Sequence, residues 1–158
     1  MSSQVPEPNT KELLRLCGGN ADAVRLIEGL WLLARLYDQA VDREHHLTAD
    51  EVHRAMAFAL FGLPHNPVWT ANPQLQESLI DSIVQWRAAN ALEARKDPDA
   101  LIAAYTLRQS PFNVMAAVVR AVAGVDAAIE AAALLHGQTG DDTLAEYITE
   151  HAGEPAKE

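Results

Sequence analysis

A chain of 158 residues, 49% of them hydrophobic, is long enough for one domain with a real core and is not a disordered acidic tail. Its formal net charge of −10 argues against a nucleic-acid surface, which needs clustered Lys and Arg to replace counterions, and against adsorption to an anionic membrane. No apolar run approaches the roughly 18 residues of a membrane span, MSSQVPEPNTKE at the start lacks the regions of a signal peptide, and Cys17, the single cysteine, excludes an internal disulfide. A reducing compartment, a cytoplasm or a host cytoplasm, is the expected setting.

In chain order, residues 1–9 carry two prolines and read as a flexible arm. Thr10 to Cys17 reads as a short helix stopped by Gly18-Gly19. Asn20 is an N-cap for a long helix running to about Glu44, with Val24, Ile27, Leu30, Trp31, Leu33, Ala34, Tyr37 and Val41 at helical spacing. Gly29 in its middle marks a close helix crossing. Thr48 and Glu51 match a capping box. The helix that follows, Glu51 to Phe61, is expected to bury Val52, Ala55, Met56, Ala59 and Leu60 and to end at Gly62.

LPHNPVWTA, with Pro64 and Pro67 three apart, reads as irregular but too apolar for a free linker, so Trp69 should dock on the core. Asn72-Pro73, Asp97-Pro98 and Ser110-Pro111 each read as a cap with proline at the first helical position. They start helices that end near Lys96, Gln109 and Gly124. An Ala-rich helix, Asp126 to Leu135, precedes a last one capped by Asp141 or Asp142, with Leu144, Tyr147 and Ile148 inward; residues 152–158 form a flexible tail. No β-type alternation of useful length appears. The expected fold is all-α: one domain over residues 10–151, a bundle of about seven to eight helices, two of them long, with no sheet.

Three helices carry polar residues in line with their apolar stripe. A helix advances about 100° per residue, which groups Ile27, Trp31, Ala34, Asp38 and Asp42. It also groups Leu75, Leu79, Ile83, Trp86, Asn90 and Glu93, and then Leu101, Tyr105 and Arg108. Packing along these stripes would bring Asp38, Asp42, Asn90, Glu93 and Arg108 together. Two readings follow. In one, the five form a buried network in which the Arg108 guanidinium neutralises the carboxylates. In the other, Asp38, Asp42 and Glu93 ligate a divalent cation, Mg2+ being the one suited to carboxylates and an amide oxygen, while Arg108 binds an anion such as a phosphate or diphosphate ester. The histidines offer less: His45 and His46 near a helix C-terminus, with His53 and His65, are weak zinc spacing. No phosphate-binding glycine loop, HExxH or GxSxG motif is present.

The strings LYDQAVDRE, LPHNP (with Asn66), Trp86-Arg-Ala-Ala-Asn90-x-x-Glu93 and Leu107-Arg108-Gln109-Ser110 together resemble a group of small helical proteins encoded in tailed phages and prophages. Members of that group commonly carry VDGD where this chain has Asp42-Arg43-Glu44. The group has no assigned activity, so the resemblance implies a phage context and a shared helical fold without a mechanism. The expected function is non-enzymatic: binding another protein, or a second copy of itself, in virion assembly or host takeover, with no nucleic acid and no membrane as partner. The alternative is an Mg2+-dependent enzyme or binding protein for a phosphate ligand at the five-residue cluster.

Overall fold

The computed structural model describes residues 9–41, 47–137 and 143–152. Among them every regular element is helical. In chain order these are α1 (Thr10–Leu16), α2 (Ala21–Val41), α3 (Ala49–Ala57), a π-helical turn (Phe58–Gly62), the one-turn helices α4 (Leu63–His65) and α5 (Pro67–Ala71), α6 (Gln74–Glu93), α7 (Pro98–Arg108), α8 (Ser110–Ala123), α9 (Val125–Gly137) and α10 (Leu144–His151). The all-α bundle with two long helices is therefore observed. No described helix is long and apolar enough to cross a membrane. Residues 1–8, Asp42, His45, His46, Asp141, Asp142 and the tail from 153 lie outside the described residues.

The caps explain most of the boundaries. Asn9 accepts from Lys11 N, Asn20 from Ala23 N and Asp97 from Ala100 N, each satisfying an amide that the first helical turn leaves without a partner. Thr48 and Glu51 make the reciprocal capping box. Thr143 and Glu146 make a second one, so the cap of α10 is Thr143 rather than either preceding aspartate.

The core is built on α2 and α8. Leu26, Ile27 and Leu30 of α2 pack with Val114, Met115, Val118 and Val119 of α8. Leu13, Leu16 and Cys17 close one end, Ala131 and Leu135 of α9 another side, and Trp69 docks as expected. Each fully buried Leu or Ile contributes roughly 2 kcal/mol. Burial pushes the Cys17 thiol up to about 11, which marks a packed, unreactive sulfur. Gly29 is required by a close approach: a Cβ there would lie 2.2 Å from the Phe58 ring, which also sits over Gly62.

Several expectations are corrected. LPHNPVWTA is not irregular: Pro64 lies in the helical turn that the π-turn runs into, and Pro67 sits at the first position of α5, where its missing N–H costs nothing. The helix after Thr48 does not stop at Gly62 but passes through the π-turn into α4. Met56 and Leu60 are exposed rather than buried, because the inward arc is centred on Val52, Ala55 and Ala59. Ile83 and Leu144, both expected inward, are likewise exposed. Ser82 takes the inward position on α6 instead, and meets Ser110 of α8 through a 3.1 Å hydroxyl–hydroxyl bond. Ser110 is thus a buried helix–helix contact, and its side chain does not cap α8.

Candidate functional site

Lys96, at φ 59, turns the chain between α6 and α7. α6 and α7 pack along each other, and Ser110, which directly follows α7, meets Ser82 in the middle of α6, so the two helices run side by side in opposite senses. Side chains lean toward the N-terminus of their own helix. Glu93, at the end of α6, and Arg108, at the end of α7, therefore lean toward each other across the hairpin.

They form a two-pronged pair: Arg108 Nε donates to Glu93 Oε1 at 2.9 Å and Nη2 to Oε2 at 2.7 Å. The Arg108 guanidinium also lies 3.9 Å, from Nη1, to Asp38 Oδ1 of α2. The three side chains are only 13% (Glu93), 16% (Asp38) and 17% (Arg108) exposed. The same guanidinium lies over Trp86, 5.7 Å from the ring centroid, and Tyr37 packs on that indole at a tilt, with ring centroids 5.1 Å apart. Three of the four described members of the predicted cluster thus come together, from α2, α6 and α7. Asp42 lies outside the described residues.

Asn90 is the fourth, one turn before Glu93. Its Oδ1 is buried and has no hydrogen-bond partner among the described residues, and the same is true of Trp86 Nε1. Asn66 is elsewhere. It is buried at the α4–α5 junction, where its Oδ1 accepts from Val68 N and Trp69 N and its Nδ2 donates to Asp22 O of α2 at 2.9 Å. It clips the LPHNP turn onto the start of the long helix.

One member was missed from the sequence. Tyr147 of α10 is buried among Ala89, Ala104 and Tyr105, and its hydroxyl donates to Glu93 Oε1. The available signal was general: a buried tyrosine hydroxyl needs a partner, and Glu93 was the carboxylate in search of one. His151, one turn later, packs against Tyr147 with ring centroids 4.3 Å apart.

The electrostatics follow from these contacts. Burial pushes the Glu93 carboxyl up. The hydrogen bonds from Arg108 and Tyr147 and the charges of Arg108 and His151 outweigh it, so Glu93 titrates below the usual carboxylate range. Burial, then the bond to Glu93, pushes the Tyr147 phenol well above its ordinary value. Glu93 is an ionised carboxylate with both oxygens engaged, a poor base at neutral pH. Among the described residues, no group of three or more His, Cys, Asp and Glu could hold a metal ion. The expected metal set of Asp38, Asp42 and Glu93 includes a residue outside them.

No protein-family model matches the chain, and no curated protein and no solved structure matches it.

Proposed function

We propose that this chain is a non-enzymatic helical protein that works by binding another protein, in the assembly of a tailed-phage virion or in takeover of the host cell. The observation that carries the reading is the pair Leu60 and Phe61, 60% and 68% exposed on the π-turn. Met56, four residues before Leu60 and exposed as well, extends the same face. Adjacent large apolar side chains held in water on a wide helical turn are the kind of surface that a protein partner covers. The polar cluster supports the same reading from the other side, since Arg108 already neutralises Glu93 and Tyr147 fills the space beside it. The phage setting rests on the four sequence strings quoted above.

A photoreactive amino acid at position 61, compared with one at the exposed Thr106 of α7, tests the reading in cells that express the chain. A discrete adduct at 61, absent at 106 and lost with Leu60→Ser, is expected. Equal labelling at both positions, or none, would overturn it. A thermal melt with Mg2+ or Mn2+ tests the alternative: a rise in Tm that Asp38→Asn abolishes would move the protein to the metal-dependent class, because a ligand bound only by the folded state must stabilise it.

A further inference from the structure

The outer face of α6 has a pattern that its own chain does not use. Glu77, Ile80, Val84, Arg87, Ala88 and Ala91 fall in one arc at about 100° per residue, and all six are exposed. Ile80 and Val84 are each 60% exposed, and Ile83 is exposed at the edge of the arc. Among the described residues, Glu77, Asp81 and Arg87 have no ion-pair partner within the chain. The stripe therefore reads acid, apolar centre, base, then small residues.

That order is self-complementary in one orientation only. Two such helices laid antiparallel about a two-fold axis level with residue 82 place Ile80 of one copy against Val84 of the other. The same register sets Glu77 against Arg87 at both ends, roughly 15 Å apart along the axis. A parallel pairing sets Glu77 on Glu77 and Arg87 on Arg87, which repels. A shift of the axis by two residues sets Asp81 against Arg87 but moves Ile80 from Val84 onto Ala88, so the apolar contact keeps the Glu77–Arg87 register.

We propose that this face of α6 is a homodimer interface, in which a second copy of the chain packs antiparallel across Ile80 and Val84 and is fixed in register by reciprocal Glu77–Arg87 ion pairs. Charge complementarity selects the occupant: an unrelated apolar partner would not require an acid and a base placed symmetrically about the apolar centre. The proposal stands apart from the reading built on Leu60 and Phe61, which lie on another element, so either can fail alone.

Sedimentation equilibrium of the full chain over a wide concentration range is the test, with far-ultraviolet dichroism to confirm that each surface variant stays folded. The wild type is expected to dimerise reversibly, and Ile80→Ser with Val84→Ser to be monomeric. Glu77→Arg and Arg87→Glu should each weaken the dimer by roughly tenfold, since each turns two attractive pairs repulsive. The double variant Glu77→Arg/Arg87→Glu should recover wild-type dimerisation, because reversal of both partners restores both pairs. A wild type that is monomeric throughout overturns the proposal. So does a dimer indifferent to Ile80 and Val84, or one that the double reversal fails to rescue.

Discussion

Arg108 grips both carboxylate oxygens of Glu93, at 2.9 and 2.7 Å, and so joins the last turns of α6 and α7. Both side chains are largely removed from water. Removing one partner of such a pair leaves an uncompensated charge, which costs more than the pair contributes. Arg108→Met is expected to destabilise the protein by about 3 kcal/mol in urea unfolding. Arg108→Met with Glu93→Leu should regain much of that loss, and a double variant no better than the single would show that the two do not act as a pair.

Tyr147 is the single buried residue of α10, and its hydroxyl ends on the same carboxylate. Tyr147→Phe keeps the ring among Ala89, Ala104 and Tyr105 and deletes only that bond. The expected loss is about 1.5 to 2 kcal/mol, the scale of a hydrogen bond to a charged group. Amides of α10 should exchange with solvent roughly tenfold faster, while those of α8 stay protected. Uniform acceleration across the protein would contradict a local anchoring role.

Glu93 titrates below its ordinary value of 4.5, and Tyr147 above its ordinary value of 10.0. For a lowered carboxyl, the unfolded chain binds more protons than the folded one near pH 4, so the contribution is present above pH 4.5 and lost as pH falls through the folded value. For a raised phenol, the contribution is present below pH 10 and lost as pH rises through the folded value. Stability should therefore decline at both ends. Glu93→Gln should flatten the acid limb relative to wild type and Tyr147→Phe the alkaline one. Unchanged slopes in those variants would assign the limbs to other groups, such as the capping carboxylates Glu51 and Glu146, which are also held below their usual range.

Asn90 has a buried oxygen with no hydrogen-bond partner among the described residues. An unmet buried acceptor costs roughly 1 to 3 kcal/mol, so Asn90→Leu is expected to leave stability unchanged or raise it by about 1 kcal/mol. A clear loss instead would mean that the amide satisfies a ligand or a water in solution, and would bring the phosphate-binding reading forward.

Gly29 faces the Phe58 ring, and an added Cβ would come within 2.2 Å of it. Gly29→Ala should destabilise by about 2 kcal/mol despite its gain in helix propensity. Phe58→Leu in the same chain should relieve part of the loss, measured by Tm. Additive losses would place the strain elsewhere.

Local chemistry determined most of the helix starts, because caps and prolines act within one turn. Thr48 with Glu51, Asp97 before Pro98 and Asn20 before α2 all start helices where their residue types require it. The phase count also joined Asp38, Glu93 and Arg108, since a charge in line with a buried stripe must be answered by another. Tertiary packing decided the rest. Which edge of an apolar stripe faces inward depends on the neighbouring helix, and so Met56, Leu60 and Ile83 turned outward while Ser82 and Ser110 turned in. Tyr147 joined Glu93 from 54 residues away, a distance in sequence over which no periodicity carries information. The outer face of α6 belongs to both levels: its acid–apolar–base order is written in the residues, but only the packing of α6 against α7 and α8 shows that this arc is the one left to water.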